Sequence, residues 1–460
     1  MLLKNLQKGR RRNMQEKHVR WREFMPLIII LFIAAVAMIL CDRPLARGDG
    51  LAYFIWLDSI AGDGDMDLSN QAQIFAHLNN GQVQWNEKTG KWISLYPYGS
   101  ALLLAPAYWL GSLMDRIGWF SVNPEYFINH QGRPLPYSLF PMFAINIYAL
   151  GAIVLAYLCA RMYVPALPAA VSAFFLFLGT PMLYYSSIEP FFSHVPATFL
   201  VSLTIYLILK WEEKPRSLLA IVAGIAGGMA TLTRWQMALT ILPFAFLFLR
   251  RRAWFDLVLF AIGFCMIAWH PFYTWKWMFG RSLVEIHTEN RFIGFPKYVI
   301  QVLFSGGRGL FIWSPLTVLA LIGMILLRRY NWAVSVILLT SFSLQVLINS
   351  AVVADWWAGW SFGMRRMTEL YPVFVIGLAA LLAYNRSVWL RNGIWTISII
   401  GLFYSLLLFF SHLNFINTAL PQGDAAWVEI AHQLFRSSFR ITVQVFREHY
   451  GPWAWSRPGP

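Results

Sequence analysis

Residues 101–114 read ALLLAPAYWLGSLM, and whether they cross the membrane decides the topology of everything after them. With its flanks the stretch runs 98–114, close to the ~20 residues that a bilayer crossing takes. It also carries Gly99, Pro106 and Gly111, and the Tyr and Trp that favour a membrane–water interface. Parity supplies the test. The run 136–160 ends at Arg161, 194–210 ends in Lys210 to Arg216, and 235–249 ends in Arg250, Arg251 and Arg252. The run 309–327 ends in Arg328 and Arg329, and 369–384 ends near Arg386 and Arg391. Short basic loops stay cytoplasmic. These clusters share that side only if 98–114 does not cross; counted as a span, it moves them outside. The stretch is therefore read as an amphipathic or re-entrant piece at the outer face.

Outward from that stretch the chain is a membrane protein. It is 58% hydrophobic and 13% charged, where a soluble domain carries about 25% charged residues. The expected fold is an all-α polytopic membrane protein of about 11 transmembrane helices, with interfacial helices in a large first external loop. Residues 1–24 form a basic cytoplasmic tail. Residues 25–413 form the transmembrane module, with the first external loop at about 42–135, and 414–460 form an external tail. Met25 to Cys41 follows the basic tail without a small-residue cleavage site, so it reads as a retained span with the N-terminus cytoplasmic. Basic turns between helical spans imply a plasma-type, inner membrane. The net charge of +15 sits largely in the tail and short loops, which suits membrane lipid and excludes a nucleic-acid partner. Cys41, Cys159 and Cys265 read as apolar packing residues.

The same parity collects ionisable residues at the outer face. ARGDGLAYFIWLDSIAGDGDMDLSNQ (46–71) holds Asp49, Asp58, Asp63, Asp65 and Asp67, in a chain with only 22 acidic residues. Glu189 and His194 fall in the turn 186–194, Arg234 in 232–236, Arg308 in 305–315, and Asp355, Arg365 and Arg366 in 355–372. Charges at membrane depth are costly and usually line a polar cavity. A carboxylate can take the proton of a hydroxyl nucleophile, and arginine forks bind phosphate. Base, phosphate clamp and lipid surface together describe a transferase that uses a lipid-phosphate sugar.

In this order and on one face, the segments resemble the GT-C class of integral-membrane glycosyltransferases. The likeness is to the bacterial branch related to protein O-mannosyltransferases and lipid A aminoarabinose transferases, and it covers most of the chain. It is carried by Arg47-Gly48-Asp49-Gly50 with Tyr53; by Asp63, Asp65, Asp67 and Asn70; by Tyr96-Pro97-Tyr98-Gly99 and Pro106; by Ser193-His194; and by Gly359, Gly363 and Arg365-Arg366. The resemblance implies a polyprenyl-phosphate-linked sugar donor, hexosyl or pentosyl transfer to an external or periplasmic hydroxyl on a glycan, lipid or protein acceptor, and inversion by direct displacement. It implies Asp49 as the catalytic base. No cofactor is implied with certainty; the GDGDMD stretch could shape the acceptor site or hold a divalent metal, Mg or Mn.

Each candidate has a plainer alternative. Asp49 could be a solvated acid between two turn glycines. Asp63, Asp65 and Asp67 could cap a helix near Leu68; an EF-hand fails, because Leu68 stands where the loop needs glycine and Ile74 where it needs glutamate. Glu189 and His194 are acceptor or metal candidates, or satisfied interfacial residues. Arg308, Arg365, Arg366 and Arg234 are donor-phosphate candidates, or lipid-facing and bundle-pairing residues. Trp356, Trp357 and Trp360 could stack on sugar or simply pack. The alternative function is a multi-pass transporter or a lipid-linked sugar flippase. That class often shows two similar halves and mid-membrane charges, and neither pattern is seen in this sequence. A non-catalytic envelope subunit would not need acids and arginines on one face. An O-antigen ligase or polymerase would concentrate its chemistry in a late loop.

Overall fold

In hydrocarbon each backbone N–H and C=O must find its partner within the segment, so long apolar runs become helices. The computed structural model describes residues 24–118, 128–129, 132–281, 295–351, 356, 359, 361–384 and 387–414. The basic tail before residue 24, Asp355, Trp357, Trp360, Arg386 and the tail from 415 lie outside the described residues.

Helix α1 covers Phe24–Cys41. The acid-rich loop then folds into α2 (Asp49–Leu57), a wide π-type turn (Asp58–Asp63) and α3 (Ser69–Ile74). A hairpin of β1 (Val83–Asn86) and β2 (Lys91–Ser94) follows, with Trp85 opposite Trp92, and then α4 (Gly99–Arg116). The bundle continues with α5 (Pro136–Arg161), α6 (Ala166–Gly179), α7 (His194–Glu213), α8 (Ser217–Thr233), α9 (Met237–Arg250) and α10 (Trp254–Phe279). Short α11 (Val299–Phe304) and α12 (Leu310–Trp313) lead to α13 (Leu316–Leu327), α14 (Trp332–Ser350), α15 (Arg365–Ala383) and α16 (Val388–Asn414). Among the described residues, seven helices are long and apolar enough to cross a membrane, and α6, α8, α9 and α13 are shorter apolar helices beside them. The fold is an all-α polytopic one, as the sequence leads one to expect; the small hairpin is an addition to the expected helices.

Side-chain contacts sort the turns into two ends. At one end Arg250 pairs with Glu212, Trp211 Nε1 donates to Asp256 Oδ2 at 2.8 Å, and Tyr384 donates to the Tyr163 carbonyl at 2.6 Å. Tyr330 stacks on Tyr384 there. This is where the basic turns gather. At the other end Arg43 N donates to the Ser187 carbonyl at 2.9 Å, Arg365 meets Asp49, and Thr89 of the hairpin donates to the Met278 carbonyl at 2.8 Å.

Helix α4 touches only this second end. Gly99 lies against the backbone of Thr233, the last residue of α8, and Gly111 lies against Pro136, the first of α5. Between them Tyr148 donates to the Leu103 carbonyl at 2.8 Å. Gly99 and Gly111 thus tether α4 beside the last residue of α8 and the first of α5, and α1 and α5 meet the loop at one face.

Two close helix crossings hold the bundle. Gly224 and Gly228 of α8, four residues apart, face Gly263 of α10, and a Cβ at any of them would strike the opposite backbone. Gly323 of α13 and Gly377 of α15 meet in the same way. Without water to expel between helices, small residues that let backbones approach supply the packing. Helix α2 is buried along its whole length from Gly50 to Leu57. It therefore behaves as core and holds its first residue in fixed register with the bundle.

Candidate active site

Gly48 has φ 52°, the left-handed region that glycine enters without strain. It turns the chain directly into α2, and Asp49 occupies the first helical position. Unpaired N–H groups at a helix start favour a carboxylate there. Asp49 Oδ2 lies 2.6 Å from an Arg365 terminal nitrogen, and the Tyr96 hydroxyl donates to Oδ1 at 2.8 Å. The Asp49 side chain stays 29% exposed, against 11% for Arg365. One end of this carboxylate is therefore pinned and the site still opens outward. The Arg365 guanidinium also lies over the Phe192 ring, 5.1 Å from its centroid. Burial, then the charge of Asp49, pushes the Tyr96 phenol well above its usual value, so it remains a donor.

The turn between α6 and α7 forms the next wall. A π-type turn over Tyr184–Ile188 widens the backbone and ends at Glu189. Burial raises the Glu189 carboxyl to about 7; Arg365, Arg47 and Arg43 pull it down and Asp49 pushes it up. No hydrogen bond or ion pair engages its carboxylate among the described residues. Arg43 is half-buried, and burial and then Arg47 lower its pKa. Asp49, Glu189, Arg365, Arg43 and Arg47 thus form one group of charges.

Beneath lies a buried network. His194 Nδ1 and Arg234 Nε each lie 2.8 Å from Glu369 Oε1, with Glu369 1% exposed. Arg234 also donates to Ser193 Oγ at 3.2 Å, and Ser193 lies beside Tyr53 of α2. Arg366 presents its carbonyl to Gln236 Nε2 at 3.4 Å.

The remaining aspartates are elsewhere. Asp49 and Asp63 bound one continuous helical segment, which puts roughly 20 Å between them at ~1.5 Å per residue. Asp63 accepts from Asn70, at 2.7 Å, and from Gln71. Asp65 accepts from Asp67 N at 3.0 Å, and Asp67 from Ser69 N at 3.1 Å. These are local turn bonds leading into α3. Asp58 is fully buried and takes a forked bond from Arg133 at 2.7 and 2.9 Å, with Tyr108 donating as well. Arg308 is buried and holds the Gly359 carbonyl and, at 3.1 Å, Ser361 Oγ. Trp356 stacks on Tyr298. Among the described residues no three His, Cys, Asp or Glu side chains are grouped to hold a metal.

Sequence reasoning did not single out Glu369, Arg43, Arg47 or Tyr96 as site residues. Glu369 had a readable signal, a carboxylate four residues after Arg365 at the start of an apolar run. The others lie in segments whose neighbours only the fold reveals. Beside Tyr96 a small recess is lined by Trp56, Tyr98, Trp235, Trp275 and Met278.

No family model and no curated protein matches the chain. Solved structures do. ArnT from Cupriavidus metallidurans in the apo state matches with a TM-score of 0.52 at 13% identity, over 92% of this chain and 76% of that one. The same protein bound to undecaprenyl phosphate gives 0.50 at 13% identity, over 92% and 77%. The archaeal oligosaccharyltransferase AglB from Archaeoglobus fulgidus gives 0.49 at 13%, over 85% and 55%. A buried α2 that carries one acid at the end of a polytopic bundle is thus set in a fold already known, the fold of ArnT from Cupriavidus metallidurans.

Proposed function

We propose that the chain is a glycosyltransferase that moves a hexosyl or pentosyl unit from a polyprenyl-phosphate donor to a hydroxyl acceptor at the external face of the membrane, with inversion. The observation that carries this reading is the Asp49 centre, an accessible carboxylate held by Arg365 and Tyr96 at a helix start. The ArnT fold with undecaprenyl phosphate bound supports a lipid-phosphate donor.

In the proposed reaction the acceptor oxygen attacks the anomeric carbon. The bond from that carbon to the phosphate oxygen breaks, and the lipid phosphate leaves with the electron pair. The acceptor proton passes to Asp49. A single displacement inverts the anomeric centre. The positive charge of Arg365, set against Asp49, favours the ionised carboxylate and the departing phosphate. Arg43 and Arg47 add positive charge where the leaving group gains negative charge. Arg308 holds the Gly359 loop and Arg234 is tied to Glu369; these two shape the site from behind, and Arg366 sits in the same turn as Arg365. Glu189 lines the acceptor side and His194 braces Glu369 beneath it, while Asp63, Asp65 and Asp67 organise the far end of the loop.

The test is transfer from a radiolabelled polyprenyl-phosphate sugar in membranes, wild type against Asp49→Asn at matched expression. A general base contributes roughly 10²–10⁴-fold, so the variant should lose that much while still binding donor. Full transfer by the variant would remove Asp49 from the chemistry. No transfer by wild type from any donor would put the flippase reading ahead.

A further inference from the structure

We propose that Glu369 is the positioning residue that sets Arg365 against Asp49, a role that rests on Asp49 being the reacting base. Arg365 and Glu369 lie four residues apart in one short 3-10 turn, Arg365–Leu370. At three residues per turn these two side chains diverge by roughly a third of a turn. Arg365 reaches Asp49 and Glu369 reaches the junction of α7 and α8.

Helix α2 makes a matching pair of attachments. Asp49 and Tyr53 are also four residues apart, which puts them on one face of an α-helix. Two rungs therefore join α2 to the 3-10 turn. The upper rung is Asp49 to Arg365, at 2.6 Å. The lower rung runs from Ser193, beside Tyr53, through Arg234 at 3.2 Å to Glu369 at 2.8 Å. His194 braces the lower rung from α7 at 2.8 Å. Gly363, at φ 55°, lets the chain enter the turn, and its carbonyl takes Arg365 N at 3.0 Å.

A fully buried ion pair is a weak source of net stability, because desolvation offsets most of its Coulombic gain. What the lower rung does achieve is a fixed distance between the turn and α2. That distance sets the 2.6 Å contact between Arg365 and Asp49. The groups facing Asp49 are Arg365 from the turn, Tyr96 from the strand-to-helix loop, Tyr53 from its own helix, and Glu189 with Arg43 and Arg47 from the opposite wall. Of these, Arg365 is the direct cationic partner.

Glu369→Gln keeps the shape and removes the charge that holds Arg234. A misplacement of about 1 Å in a catalytic group costs on the order of 100-fold. The expected result is a kcat lowered roughly 10- to 100-fold with KM little changed. The acid limb of the pH–rate profile should move to higher pH, because a carboxylate that loses its cation holds its proton more tightly. Arg365→Gln should shift the limb in the same direction, and the double variant should be no slower than Arg365→Gln alone. Hydrogen exchange of purified protein gives a readout that needs no activity: amides 363–370 should exchange faster in Glu369→Gln, with α13 unchanged. If Glu369→Gln does not fold, Arg234→Gln breaks the same rung from its other end and carries the same expectations. A wild-type acid limb with wild-type exchange in either variant would overturn the proposal, as would losses that multiply in the double variant. If wild type transfers nothing, the transferase reading fails on its own, and the exchange result still decides whether Glu369 holds the turn.

Discussion

Asp49 and Glu189 belong to the same group of charges and differ in their partners. Asp49 is engaged by a cation and a phenol, and Glu189 by neither. The consequence for Glu189 can be measured. Its folded pKa is raised by burial from 4.5 to about 7. Between those values the folded chain keeps a proton that the unfolded chain has released, so stability falls as pH rises through the window. Glu189→Gln removes that loss. The variant should match wild type near about pH 4 and be more stable at about pH 8, by up to roughly 3 kcal/mol, since one pKa unit is worth ~1.4 kcal/mol. Unfolding midpoints in detergent across pH would check this; parallel curves for the two proteins would contradict it. At this scale the sequence marked Asp49, Glu189 and Arg365 as unusual because charges are rare in so apolar a chain. It could not show that Arg308 is committed to a carbonyl, because Gly359 lies 51 positions away.

Elements show where the glycines and buried ions act. Gly224 on α8 meets the Phe260 carbonyl of α10 with no room for a Cβ. Gly224→Leu should destabilise by about 1–3 kcal/mol or more, the usual cost of overpacking, with a lower midpoint and weakened α8–α10 contact. The Asp58–Arg133 fork anchors the π-type turn after α2 to the segment leading into α5. Arg133→Gln leaves Asp58 buried without its cation. Breaking one partner of a buried pair costs about 3–5 kcal/mol, seen as a lower midpoint and faster hydrogen exchange over 58–74. The hairpin was not legible as strands because its four-residue strands are short and sit in a loop read as helical. Spacing along the sequence did not reveal that a helical segment runs between Asp49 and the acids at 63–67.

For the whole molecule the open quantity is sidedness. The contacts gather the basic turns at one end and Asp49 at the other. In a cysteine-free background Trp85→Cys, on the exposed face of the hairpin, should be labelled from outside intact spheroplasts. Lys214→Cys should be labelled only after permeabilisation. The reverse pattern would invert the orientation and put the proposed transfer on the cytoplasmic side.

The sequence alone determined the all-α polytopic architecture, because hydrocarbon demands helices of bilayer length. Its charge bias also leads one to expect 98–114 at the outer face, since only that choice gathers the arginine clusters on one side. The tertiary structure decided which charges meet. Asp49 and Arg365 are 316 positions apart and Glu369 and His194 175, and no local pattern encodes such pairs. They are brought together by close glycine crossings and by a buried α2, and both depend on the shape of the facing surfaces, which a linear pattern of residue types does not specify.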